Sequence, residues 1–133
     1  MTRIESKTAT VNTSSEKIFQ FLTNLNNIEK LLPPGKYSDW KSDENMCSFK
    51  VQSAYQIGLS LKSSEPNKIV TYSSTQGSPF PFELNVKLDE SNGSTTGQLI
   101  CDAQINPFLE MLVKGPLKNL FDYMADKLPE AVG

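Results

Sequence analysis

Apolar and polar residues alternate most clearly where Phe80, Phe82, Leu84, Val86 and Leu88 are interleaved with Pro81, Glu83, Asn85, Lys87 and Asp89. Successive strand side chains point to opposite faces, so this stretch predicts a strand with one dry face and one mostly wet face. Asn92–Gly93 follows, a pair suited to a two-residue type I′ hairpin turn. That turn sets Val86 opposite Leu99, Leu84 opposite Cys101 and Phe82 opposite Ala103, and it brings Ile105 to the same dry face. A slip of one residue would set the apolar residues of one strand against the polar residues of the other, so the register is well specified. A turn at Pro66–Asn67 likewise sets Leu61 opposite Tyr72 and Leu59 opposite Ser74. A turn at Glu44–Asn45 sets Trp40 opposite Cys47. Everything from Lys36 to Ile105 reads as strands and turns.

The pattern differs at both ends. Arg3 to Val11, rich in Thr and Val, predicts a first strand. Thr13 then serves as N-cap, with Glu16 three residues on completing a capping box. Ile18, Phe19, Phe21, Leu22 and Leu25 repeat at helical spacing. Ile28, Leu31 and Leu32 suggest a short second helix, which Pro33-Pro34-Gly35 stops. At the other end Asn106 can cap a helix, and Pro107 suits its first position. This helix, running to Leu128, would be about 33 Å long at about 1.5 Å per residue. Its stripe is Leu109, Leu112, Pro116, Leu120, Met124 and Leu128, widened by Phe108, Met111, Phe121 and Ala125. So wide a stripe needs a concave partner. Gly115–Pro116 should kink or split the helix, because proline removes an internal hydrogen bond. The order is one strand, two short helices, six strands and a long helix, an α+β arrangement in a single domain over residues 1–133.

Composition narrows the chemistry. The chain has 133 residues, 38% apolar and 21% charged, with a net charge of −2 and no basic stripe to suit nucleic acid. It contains no histidine, which removes the commonest general base and zinc ligand. With Cys47 and Cys101 as its only thiols it cannot close a cysteine-rich zinc site, and no cofactor or metal is expected. No apolar run approaches a membrane span, and MTRIESKTATVN lacks the apolar centre of a signal peptide. The expected location is therefore cytoplasmic, with both thiols reduced.

The element order, with VNTSSEKIFQFLTNLNNIEKLLPPG near its start, resembles the START-like or SRPBCC superfamily. This is the helix-grip fold that also contains the birch-pollen allergen and the polyketide cyclases. The resemblance extends over essentially the whole chain. The Pro-Pro-Gly after Leu32 is similar to a Leu-Pro-Gly of the branch named for carbon monoxide dehydrogenase, with one proline more. The resemblance implies a curved seven-stranded antiparallel sheet wrapped around the C-terminal helix, with a ligand cavity between them. Members bind lipids, sterols, hormones or polyketides, and a minority are enzymes.

The candidate ligand-binding residues are Trp40, Phe49, Tyr72, Phe82, Leu84, Met111, Leu112, Phe121 and Met124 as apolar wall. Ser74 and Gln76 add polar groups if Tyr72 faces inward. QGSPFPFEL suggests an apolar lip or a register-setting edge. Glu83 and Asp102 become direct cross-strand neighbours, a pairing best read as a solvated outer face neutralised by Lys or Arg. The cysteines, with no cation or helix N-terminus foreseen beside them, read as core residues. The function ranked first is non-covalent binding of a small hydrophobic ligand, such as a lipid or an aromatic or polyketide-like metabolite, with no catalytic residue. A polyketide cyclase or dehydratase ranks second and would need Tyr72 or an inward carboxylate. An accessory module for a protein partner is the third reading.

Overall fold

A computed structural model describes residues 2–51 and 55–132. Its elements are β1 (Thr2–Glu5), β2 (Ala9–Val11), α1 (Ser15–Leu22), a 3₁₀ helix (Leu25–Leu31), β3 (Tyr37–Ser42), β4 (Met46–Val51), β5 (Tyr55–Glu65), β6 (Ile69–Ser74), β7 (Phe82–Ser91), β8 (Ser94–Ala103) and α2 (Pro107–Val132). All strand pairs in the sheet are antiparallel, in the order β1-β8-β7-β6-β5-β4-β3, and β2 also pairs with β8. The fold class is therefore the expected α+β helix-grip. The expected first strand is one ribbon broken at residues 6–8. There Ser6 turns its hydroxyl toward its own chain, accepts from Leu99 N–H and donates to the Lys7 carbonyl.

The β7–β8 hairpin has the expected register, with Val86 opposite Leu99, Leu84 opposite Cys101 and Phe82 opposite Ala103. Asn92 and Gly93 both have positive φ, as a type I′ turn requires. Leu59 opposite Ser74 and Leu61 opposite Tyr72 also hold, for a less direct reason. Lys68 N–H closes a turn on the Glu65 carbonyl around Pro66–Asn67, as expected, but the strands resume pairing one residue later, with Glu65 opposite Ile69, and an irregularity between Leu61 and Ser63 restores the register.

Trp40 does not face Cys47. Ser42 does, and the β3–β4 register shifts between Ser38 and Lys41, where Asp39 has φ +56°. A bulge adds a residue to one strand and re-aims the side chains beside it. Here it accompanies stacking of the Trp40 ring on Phe49, with centroids 5.9 Å apart and planes 23° apart.

α1 is capped by Ser14, whose side chain accepts from Lys17 N–H at 3.3 Å, rather than by the expected Thr13–Glu16 box. Thr13 instead gives its carbonyl to the Thr95 hydroxyl on β8. Glu90 at the end of β7 accepts from the Ser15 N–H and hydroxyl, so a strand carboxylate supports the helix start. The second short helix is 3₁₀ and buries Leu25, Ile28 and Leu31.

α2 is one continuous helix of 26 residues, about 39 Å long at about 1.5 Å per residue. Asn106 caps it through Leu109 N–H, as expected. It does not split at Gly115–Pro116. Its buried positions are Val113, Leu117, Leu120, Phe121, Met124, Ala125, Leu128 and Val132. The expected stripe matches from Leu120 onward. Before it the buried line runs one position later, through Leu117 and Val113 in place of Pro116 and Leu112.

Candidate functional site

Where α2 crosses the sheet, three layers of side chains meet. β4 and β5 supply Phe49, Ile57 and Leu59; the approach to β7 and the β7–β8 hairpin supply Phe80, Phe82, Leu84 and Cys101; α2 supplies Leu117, Leu120, Phe121 and Met124. These residues enclose a void of about 10 Å³, room for roughly one water molecule. Among the described residues the lining carries no charged group, and burial pushes the Cys101 thiol up to about 12.

A wider groove of about 250 Å³ opens beside it, lined by Pro33, Lys36 and Tyr37 from the loop before β3 and its first residue, Phe49 and Val51 from β4, and Pro116, Asn119, Leu120 and Tyr123 from α2. Phe49 and Leu120 belong to both linings, so two side chains form a common wall between groove and void. Lys36 is the one charged residue in the groove lining among the described residues. The Tyr37 hydroxyl is occupied, donating to Glu29 at 2.9 Å.

Of the candidate ligand residues, Phe49, Phe82, Leu84, Phe121 and Met124 meet at the void. Trp40 lies behind Phe49, half-buried and stacked on it. Tyr72 is fully buried, and its hydroxyl donates to the Leu22 carbonyl at 2.7 Å. That carbonyl ends α1, where helices leave carbonyls without internal partners, so Tyr72 serves as a cap from the sheet. Burial, with Cys47 adding to it, holds its hydroxyl well above the ordinary tyrosine range. Ser74 is half-buried and accepts from Phe82 N–H at 3.0 Å, while Gln76 is exposed. Met111 and Leu112 are 84% and 59% exposed, on the side of α2 turned from the sheet, and do not reach the seam.

Ile57, Leu59, Phe80, Cys101, Leu117 and Leu120 complete the lining and are not among the expected ligand residues. Alternation from Phe49 and Leu84 onto neighbouring strands points to Ile57 and Leu59. Phe80 and Phe82 are buried and pack edge to face, so QGSPFPFEL supplies wall rather than lip. The loop ahead of them lies close on β5: an added Cβ at Gly58 would overlap the Thr75 hydroxyl.

The outer face takes the carboxylates. Glu83 and Asp102 are direct cross-strand neighbours, each with a cation: Arg3 of β1 holds Asp102 through bonds of 2.8 and 3.2 Å, and Lys62 holds Glu83. Cys47 and Cys101 are free and buried, and burial pushes the Cys47 thiol up to about 12 as well. Among the described residues no group of three His, Cys, Asp or Glu is placed to hold a metal ion, and no helix is long and apolar enough to cross a membrane.

Neither a protein-family model nor a curated protein matches the sequence. Solved structures do match. A START superfamily protein from Mycobacterium smegmatis superposes with a TM-score of 0.69 at 16% identity, over 98% of this chain and 96% of its own. The chain has the START-like fold. XoxI from Bacillus cereus superposes with a TM-score of 0.75 at 14% identity, over 99% of this chain and 96% of its own. The KanY protein gives 0.76 at 11% identity, over 99% of both chains. At these identities the likeness carries the START-like architecture and leaves the ligand to the chemistry of the seam.

Proposed function

We propose that this protein binds, without covalent chemistry, a small molecule that has an apolar body and one polar or anionic end. The body lies along the seam between α2 and the sheet, and the polar end lies in the groove beside Lys36, Asn119 and Tyr123. The observation that carries this reading is the shared wall: rotation of Phe49 and Leu120 would join an open groove of about 250 Å³ to an all-apolar void. Ligand sites are mainly apolar with a few convergent polar groups, and the combined lining has that composition. The void is nearly filled in the ligand-free chain, so a ligand must displace side chains. Met124, unbranched and adaptable, is suited to yield. A cyclase-type reaction finds less support. Tyr72 is engaged as a cap, Cys101 stays a thiol, and no carboxylate lines the seam among the described residues.

The sequence contains one tryptophan, Trp40, and its ring stacks on the Phe49 wall, so its fluorescence serves as a reporter. Titration with decanoic acid and with decanol should give a saturable change for both. Lys36→Gln should weaken the acid by about tenfold, roughly the worth of one exposed charge-assisted contact, and leave the alcohol unchanged. Native mass spectrometry of the purified protein, followed by denaturing extraction, would identify a co-purified compound. No saturable response to either probe, together with an empty protein, overturns the proposal. That result would shift weight to a protein-partner module, a reading favoured by the exposed Phe108, Met111 and Leu112.

A further inference from the structure

We infer that the first two turns of α2, Pro107–Lys114, form a hinged flap at the Leu117 end of the void, with its pivot at Gly115–Pro116. Three independent features of the helix support this. The first is packing. Between Pro107 and Lys114 only Val113 is buried, with Leu109 partly buried against the core, whereas Leu117, Leu120, Phe121, Met124, Ala125, Leu128 and Val132 are buried beyond the pivot. The second is polar anchoring. The later half is tied to the first strands at several points: Lys7 N–H donates to Asp122 at 2.7 Å, the Lys7 ammonium pairs with Asp126 at 2.8 Å, and Lys118 donates to the Glu5 carbonyl at 3.2 Å. Among the described residues the flap has one such tie, the Thr2 hydroxyl donating to Glu110 at 2.7 Å.

The third feature is the backbone at the pivot. Pro116 has no N–H for the Leu112 carbonyl, and its ring crowds that carbonyl. Gly115 adds freedom, with open space where its side chain would be. Pro129 shows that proline alone does not make a hinge. It too lies inside α2, but between the buried Leu128 and Val132.

The other end of the flap is also built to turn. Residues 104–106 are neither helix nor strand, and Gln104 N–H is fixed to the Pro81 carbonyl beside Phe80 and Phe82. Val113 lies one helical turn before Leu117 on the same face, so lifting it uncovers the side of Leu117, which lines the void. The flap is apolar on opposite sides, with Val113 inward and Phe108, Met111 and Leu112 outward, so it can turn without bringing a charge to the seam first.

The hinge is tested in the ligand-free protein by amide hydrogen exchange, which reads local opening. Met111 to Lys114 should exchange together, at least about tenfold faster than Leu120 to Leu128, with a step at Gly115. Pro116→Ala, which restores the missing N–H, should slow the flap amides by about tenfold and leave Leu120 to Leu128 unchanged. Thr2→Val, which removes the tie to Glu110, should speed them. A smooth gradient of protection falling toward Pro107 would indicate ordinary end fraying and overturn the hinge. So would flap amides that respond to neither variant. The inference rests on the ligand reading only for what passes under the flap. Failure of decanoic acid and decanol to bind, with the exchange step intact, would overturn that reading and leave the hinge standing.

Discussion

From Leu117 to Val132, α2 lays Leu117, Leu120, Phe121, Met124, Ala125 and Leu128 into the sheet and the short helices. From Pro107 to Lys114 it lays down Val113 and, in part, Leu109, and Phe108, Met111 and Leu112 stand in solvent, Phe108 at 74% exposure. Both halves are rich in apolar residues and both are helical. What separates them is the surface opposite. The later half faces the sheet and the polar ties from Lys7; among the described residues the earlier half has the single tie from Thr2. An apolar stripe states what a helix can bury, and the partner decides what it does bury.

The comparison breaks most easily in the later half. Leu128 is fully buried, and Leu128→Ala should cost about 2–5 kcal/mol in urea unfolding, the usual range for a buried leucine. A loss below about 1 kcal/mol would mean that the later half is not clamped. Val113→Ala, at the one fully buried apolar position of the earlier half, should cost less, about 1–2 kcal/mol. Gly115→Ala has nothing to collide with and should raise stability by about 0.5–1 kcal/mol. A destabilised variant would show that the space beside Gly115 is filled in solution. Met111→Lys should change stability by no more than about 0.5 kcal/mol, as at other exposed positions. A loss of several kcal/mol would show that Met111 is covered in solution.

The sheet is legible in the sequence where turn chemistry is explicit. Asn92–Gly93 dictates one turn geometry, and ten residue pairs follow from it between Phe82 opposite Ala103 and Ser91 opposite Ser94. It is illegible where one residue departs from the regular ladder. The positive φ of Asp39 and the accompanying shift in β3 re-aim Trp40, and no alternation rule detects a bulge of that kind. The β5–β6 register agrees with expectation because a one-residue shift beyond the turn and an irregularity offset each other. In α2 the expected stripe lies one position early at Leu112 and Pro116, because these fit helical spacing as well as Val113 and Leu117 do, whereas Leu109 packs against the core as expected. The apolar wall of the site is partly readable from strand alternation. The groove is not: Pro33, Lys36 and Tyr37 meet Pro116, Asn119 and Tyr123 only through the tertiary path of a loop.

The hydroxyl that Tyr72 gives to the end of α1 also makes the chain its own alkaline clock. Burial raises the Tyr72 hydroxyl and the Cys47 and Cys101 thiols above their ordinary values, the thiols to about 12 from 9.0. The unfolded chain gives up these protons first, so their contribution to stability is complete below about pH 9 and is lost as the pH climbs toward 12 and beyond. Absorbance of tyrosinate should therefore show a steep step for Tyr72, above the ordinary tyrosine range and coincident with loss of ellipticity. A single smooth titration curve, with the fold intact throughout, would mean that the Tyr72 ring reaches water without unfolding.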